Sequence, residues 1–382
     1  MKIVIAPDSY KESLGAMDVA TQIEAGFREI YPDAEYIKLP VADGGEGTVE
    51  AMVAATGGRT INLSVTGPTG KPVMAHFGMT GNKPDNKKCA VIEMASASGL
   101  ECIPPEERNP LITTTYGTGE LIKAALDLGV TEFIIGLGGS ATNDGGAGML
   151  QALGVHLLDK AGHNIGKGGQ CLSELEYVDV SGMDPRLKDC RITVACDVTN
   201  PLTGPQGASA IFGPQKGANP AMVRFLDENL KHYAQVIARQ TGKDVEFAPG
   251  AGAAGGLGAA LLAFLNAELR SGIDIVTEAV GLEKAIVDAD LVITGEGRID
   301  SQSIKGKVPV GVAKLAKRYN KPVIGIAGSL SSDVSVVYEH GIDCVFSVLN
   351  KVCSLDDALN NAAENVRLTA RNIAATLQLL PR

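Results

Sequence analysis

Residues 290–327, DLVITGEGRIDSQSIKGKVPVGVAKLAKRYNKPVIGIA, decide the fold. Asp290–Thr294 reads as a buried strand, Val308–Tyr319 as a helix and Val323–Ala327 as a second strand, the repeating unit of a parallel sheet. Toward the C-terminus the alternation continues through helix Val334–His340, strand Asp343–Val348 and helix Leu355–Leu379. At the other end of the chain, KIVIA (2–6) is a strand, followed by helix Val19–Ile30, strand Glu35–Leu39 and helix Gly47–Thr56. Two strands in front and three behind are each too few for a comfortable parallel sheet. Joined, they make five strands with helices on both faces, a doubly wound α/β domain. The expected domains are therefore 1–62 with 285–382, and an inserted α/β domain at 63–284.

The insertion has a different texture. NLSVTGPTGKPVMAHFG (62–78) places two β-rich runs around Gly-Pro-Thr-Gly, an antiparallel hairpin. CAVIEM (89–94), Glu132–Gly136 and Arg191–Cys196 are further strands, so its sheet is expected to be mixed. Asn219-Pro220 opens a long amphipathic helix with N-cap and first-turn chemistry. PGAGAAGGLG (249–258) feeds a helix over Ala259–Leu269. Two consecutive domains, in place of an insertion, are the alternative arrangement.

At 382 residues the chain exceeds one ordinary core. A formal charge of −10 makes nucleic acid and anionic membranes poor partners, so an anionic substrate needs locally placed cations and backbone N–H groups. Trp is absent, which argues against a base- or sugar-stacking surface. The 7 cysteines include no CxxC pair, which reads as a reduced cytosolic set, and the 5 histidines give no zinc spacing. The N-terminus is too quickly polar for a signal peptide, and no apolar window is long enough to span a bilayer. A cytoplasmic protein is expected, with its oligomeric state open.

Several segments share one design, in which an apolar strand ends, a Gly- or Asp-rich loop follows, and a helix starts. Open α/β sheets bind ligands there, and the free N–H groups of the next helix favour phosphate and carboxylate. The segments are APDSYKES (6–13), VADGGEGT (41–48), GLGGSATNDGG (136–146), CDVTNPLT (196–203) running on to FGPQKG (212–217), and TGEGRID (294–300). Capped turns and Asx-turns compete as explanations for Asp8, Asp144 and Asp197. Gly136, Gly138 and Ala141 fit G-x-G-x-x-A, the dinucleotide fingerprint, but Thr142-Asn-Asp-Gly-Gly prolongs the loop where the helix of that motif should already pack. Walker, protein-kinase and GxSxG signatures are absent.

Taken together, APDSYKESL, ADGGEGT, GLGGSATNDGG, CDVTNPLTG, GAAGGLGAAL and ITGEGRIDSQSIKGK resemble the bacterial glycerate kinases of the first type. The resemblance runs over essentially the whole chain with the motifs in register. It implies a flavodoxin-like domain built from both chain ends, a second α/β domain inserted in it, and transfer of the ATP γ-phosphoryl to D-glycerate with Mg²⁺. It also points to 2-phosphoglycerate as product. The working assignment places the ATP phosphates at Gly138, Gly139, Ser140 and Asn143 and at Gly255 and Gly256. Lys11, Arg298 and Lys305 offset anionic charge. Asp197 is the preferred base or metal ligand, and Asp43, Glu46, Glu296 and Asp300 are the remaining acidic candidates, with Glu46 a second possible metal ligand. A 3-phosphoglycerate product and an NAD-linked hydroxy-acid oxidoreductase are the alternatives carried forward.

Overall fold

The computed structural model describes residues 1–81, 87–304 and 306–379. The chain opens with strands β1 (Lys2–Pro7) and β2 (Glu35–Lys38). It continues with β3 (Arg59–Thr66), β4 (Pro72–Met79), β5 (Cys89–Glu93), β6 (Glu132–Gly136), β7 (His156–Leu158), β8 (Tyr177–Asp179), β9 (Arg191–Ala195) and β10 (Glu268–Arg270). It closes with β11 (Leu291–Ile299), β12 (Val323–Leu330) and β13 (Cys344–Ser347). Two compact units result: Met1–Asp43, Glu50–Gly58 and Ser271–Arg382 form the first, and Gly44–Val49 with Arg59–Arg270 form the second.

The first unit holds a five-stranded sheet in the order β13-β12-β11-β1-β2, parallel throughout. This is the doubly wound parallel sheet expected from the alternation at the two chain ends. Its core strands are apolar on both faces: on one, Ile3, Ile5, Ile293 and Ile326 pack with Val19, Ile23, Phe27, Val366 and Ile373 from the helices, and on the other Val4 and Val292 are fully buried. Helix Ala16–Arg28 lies against helix Ala362–Gln378, and Gly26 makes the approach possible, since a methyl group there would collide with the backbone of Arg367 and Arg371.

The second unit has a six-stranded sheet in the order β10-β9-β6-β5-β4-β3. β10, β9, β6 and β5 run parallel, whereas β5-β4 and β4-β3 are antiparallel, so the sheet is mixed as expected. The Gly-Pro-Thr-Gly hairpin pairs Arg59↔Met79 through Thr66↔Pro72. β7 and β8 form a separate antiparallel ribbon. Helix Pro220–Thr241 begins as its sequence dictates, with the Asn219 side chain accepting from the N–H groups of Ala221 and Met222.

Four elements differ from the sequence reading. β11 continues past Thr294 to Ile299, because β12 goes on pairing with it through Ile299↔Leu330 after β1 has stopped at Pro7↔Gly295. The helix expected over Ala259–Leu269 instead spans Ala253–Phe264 with Ala254, Gly255 and Gly256 at positive φ, and Asn266 at φ 48 ends it before β10. Val334–His340 is a 3₁₀ helix. The C-terminal helix is two, Leu355–Asn360 and Ala362–Gln378, broken at Asn361 where φ is −104 and ψ 13.

Candidate active site

In the first unit the carboxyl ends of β1 and β11 carry the polar residues. Asp8 follows β1 and its N–H donates to the Gly295 carbonyl (2.8 Å), which fixes it beside the end of β11. The Asp8 carboxylate accepts from the Ser9 N–H (2.6 Å) and hydroxyl (3.3 Å). Burial, with the charges of Asp43 and Glu296 added to it, pushes the Asp8 carboxyl up to about 7. Glu296 is buried and its carboxyl is raised, mainly by desolvation. The Ser303 hydroxyl donates to it, and Lys307 stands 3.4 Å from its other oxygen. Beneath them the Tyr10 hydroxyl donates to the Ile326 carbonyl (2.8 Å), closing the floor of this corner. Lys11 and Arg298 are exposed, with Arg298 Nε 3.3 Å from the Asp300 carboxylate. The extension of β11 puts Glu296 and Arg298 on one strand, Glu296 buried and Arg298 exposed nearer its end. Lys305 lies outside the described residues.

The second unit brings a different set together. After β6 the chain bends at Gly138 and Gly139, both exposed, with Gly139 at φ 71. No helix starts until Ala147, so the geometry of a dinucleotide-binding turn is not formed. Loop Gly44–Val49 packs on the strand ends: the Glu93 carboxylate at the end of β5 accepts from the Val49 N–H (2.9 Å), and a methyl at Gly136 would strike the Gly44 carbonyl. Ser140 through Gly146 are buried. Asp144 accepts from the Thr115 N–H (2.8 Å) and hydroxyl (2.9 Å) and from the N–H groups of Gly146 (3.1 Å) and Gly148 (3.2 Å). Desolvation nevertheless raises its carboxyl. The Lys216 amine, buried, donates to the Ser140 hydroxyl oxygen (2.8 Å) and the Thr142 carbonyl (2.6 Å), and burial pushes it down to about 7 against the pull of Asp144. Asn143 donates to the Ser209 hydroxyl (2.9 Å).

Gly255 and Gly256 are buried against this loop, and a side chain at Gly255 would collide with the Thr142 carbonyl. Their place is behind the 142–145 segment, where only a bare backbone fits. Asp197 is exposed just beyond β9, and Glu46 is exposed in the Gly44–Val49 loop. The expected site residues thus fall into two groups: Lys11, Asp43, Arg298 and Asp300 in the first unit, and Glu46, Gly138, Gly139, Ser140, Asn143, Asp197, Gly255 and Gly256 in the second. Sequence reasoning passed over Lys216, Glu93 and Tyr10 as site residues. The one signal for Lys216 was a cation held between turn residues in Gly-Pro-Gln-Lys-Gly.

Fold and polar loops define an α/β protein whose glycine-rich and acidic segments gather at the carboxyl ends of parallel strands, the position at which such sheets hold small anionic ligands. Residues 3–378 match the model of the glycerate kinase family. Among curated relatives, glycerate 2-kinase of Escherichia coli (strain K12) is 64% identical over 99% of this chain and 98% of its own length. Glycerate kinase of Bacillus subtilis (strain 168) is 59% identical over the same shares. A crystal structure from Salmonella typhimurium LT2, assigned as glycerate kinase 2, superposes with a TM-score of 0.91 at 63% identity, covering 99% of this chain and 98% of the other. The chain belongs to the glycerate kinase family.

Proposed function

We propose that this chain is a cytoplasmic ATP-dependent kinase that transfers the γ-phosphoryl to D-glycerate and releases 2-phosphoglycerate. The observation that carries the reading is the full-length match, at 64% identity, to a relative named glycerate 2-kinase. The same match favours the 2-phosphoglycerate product over its 3-isomer. Among the described residues no helix is long and apolar enough to cross a membrane.

Phosphoryl transfer asks for positioning, charge neutralisation and a base near the attacking hydroxyl. The exposed bend at Gly138 and Gly139, with Ser140 and Asn143, receives phosphate oxygens, while Gly255 and Gly256, the other glycines of this assignment, pack behind the 142–145 segment that follows it. Lys11, Arg298 and Lys305 offset carboxylate and phosphate charge. Asp197 takes the hydroxyl proton, with Asp43, Glu46 and Asp300 as the other acidic groups available. The two compact units serve as two domains, one from both chain ends and one inserted.

Mg²⁺ belongs to this reading as the usual partner of ATP. Among the described residues no three His, Cys, Asp or Glu side chains gather into a cage. Mg²⁺ is commonly held by one or two carboxylates plus phosphate oxygens and waters. The residues fit that need at Asp8 and Asp43, because the carboxyl of Asp8 is raised by burial first and by the charges of Asp43 and Glu296 in addition, and a divalent cation relieves the latter. When bound, the ion neutralises phosphate charge. Asp197 and Glu46, each exposed in the second unit, are the other ligand pair in this assignment.

The test is pyruvate formation from D-glycerate and ATP with enolase and pyruvate kinase added and phosphoglycerate mutase omitted. Enolase dehydrates 2-phosphoglycerate directly, so pyruvate appears without mutase. Pyruvate only after mutase addition identifies 3-phosphoglycerate and overturns the product assignment. NADH binding with no ATP turnover would turn the reading toward an oxidoreductase.

A further inference from the structure

We infer that Lys216 is a positioning residue of the anion-binding bend at Gly138–Ser140 and acts through the Ser140 hydroxyl. The inference rests on the reading of that bend as the seat of an anionic substrate group. Lys216 closes a short 3₁₀ turn, Pro214–Lys216, that ends in Gly217 at φ 93, and a side chain at Gly217 would collide with the Arg108 carbonyl. The turn therefore delivers Lys216 inward, where it is 1% exposed. A lysine is almost never buried to this degree without partners. Its amine has them in the Ser140 hydroxyl oxygen (2.8 Å) and the Thr142 carbonyl (2.6 Å).

The consequence lies in the hydroxyl. Ser140 Oγ has one proton to donate, and accepting from Lys216 turns that proton away from the lysine. Ser140 is 6% exposed and follows directly on the exposed Gly138 and Gly139, so the remaining direction leads toward the bend. An oxygen of a phosphate or carboxylate arriving there receives the Ser140 O–H, strengthened by the donor behind it. The loop backbone is held by other bonds, Leu100 N–H to the Gly139 carbonyl (2.9 Å) and Ala141 N–H to the Ser98 carbonyl (2.9 Å). Lys216 adds one bond to that backbone, at the Thr142 carbonyl, and its other bond aims the hydroxyl.

Steady-state kinetics with D-glycerate and ATP test this on Ser140→Ala, Lys216→Arg, Lys216→Met and the Ser140→Ala/Lys216→Met double variant. Ser140→Ala is expected to raise the KM of one substrate about tenfold, the scale of a lost hydrogen bond to a charged group, with a smaller change in kcat. Movement of the ATP KM identifies a phosphate oxygen, and movement of the glycerate KM identifies the carboxylate. Lys216→Met should reproduce the change, Lys216→Arg should recover part of it, and the double variant should be no worse than Lys216→Met. Unchanged KM values for both substrates in Ser140→Ala overturn the inference. That variant removes a single oxygen, so its KM values can overturn the inference even if Lys216→Met fails to fold. Multiplying effects in the double variant also overturn it. If the wild-type protein turns over no glycerate, the kinase reading fails separately, and the same variants are then compared for ATP and glycerate binding by calorimetry.

Discussion

Lys216 carries a pH dependence as well as a hydrogen-bonding role. Its folded-state value, about 7, is below the ordinary 10.5, so between those limits the unfolded chain binds a proton that the folded chain does not. Stability contributed by this group therefore rises with pH from about 7 to about 10.5 and is lost as pH falls through 7, with a slope of at most about 1.4 kcal/mol per pH unit. Urea unfolding of wild type and Lys216→Met at pH 7, 8 and 9 checks it: the difference should shift toward the wild type as pH rises, and a constant difference refutes the claim. Asp197 offers a catalytic counterpart. Asp197→Asn changes an exposed side chain, so the fold should survive while kcat falls about 10²-fold, the scale of a lost general base. A near wild-type kcat removes Asp197 from the mechanism. At this scale the sequence was only partly legible. The bend at Gly138–Ser140 announces itself through glycine at a strand end, but Lys216 is spelled like any surface lysine of a turn. Its burial depends on Gly217 meeting the Arg108 carbonyl, a contact between distant segments that no local pattern encodes.

Elements were more legible than residues, because caps and periodicity are local. Asn219-Pro220 marks the start of helix Pro220–Thr241, and the Asn219 side chain accepts from two backbone N–H groups there. Asn219→Ala should cost about 1 kcal/mol in chemical denaturation with activity intact, and no loss would mean that water replaces the cap fully. The pair formed by helices Ala16–Arg28 and Ala362–Gln378 is set by Gly26. Gly26→Ala favours the isolated helix but forces the two backbones apart, so a net loss of about 1–3 kcal/mol is expected. A stabilised Gly26→Ala protein would show that the contact is not tight in solution. The ends of elements were harder to foresee. Gly295, Glu296 and Gly297 read as a loop, yet β12 supplies ladder partners as far as Leu330 and keeps them in a strand. The break at Asn361 has no glycine or proline to announce it.

The five-stranded sheet was readable at the largest scale because strand arithmetic at the two chain ends favoured joining them over two consecutive domains. The point where the chain crosses into the second unit was less so, since β3 starts at Arg59 with no break in texture before it. The two units have separate apolar cores, one around Ile3, Ile293 and Phe27, the other around Phe77, Phe133, Leu230 and Tyr233. Differential scanning calorimetry should accordingly give a calorimetric unfolding enthalpy larger than the van 't Hoff value, and equality would identify a single cooperative unit. Sheet order has a further effect during synthesis. β1 is flanked by β2 and β11, and Lys2 and Asp290, bonded in the finished protein, are 288 positions apart. At about 5–20 residues per second the ribosome needs on the order of tens of seconds to make that distance. Throughout it, Ile3, Val4 and Ile5 have β2 on one side and an open edge on the other, while the whole of Arg59–Arg270 emerges and has time to fold. The earliest strand made is thus completed among the last, and the nascent first unit, with its apolar edge uncovered, is the stage of this protein's life that most needs a chaperone.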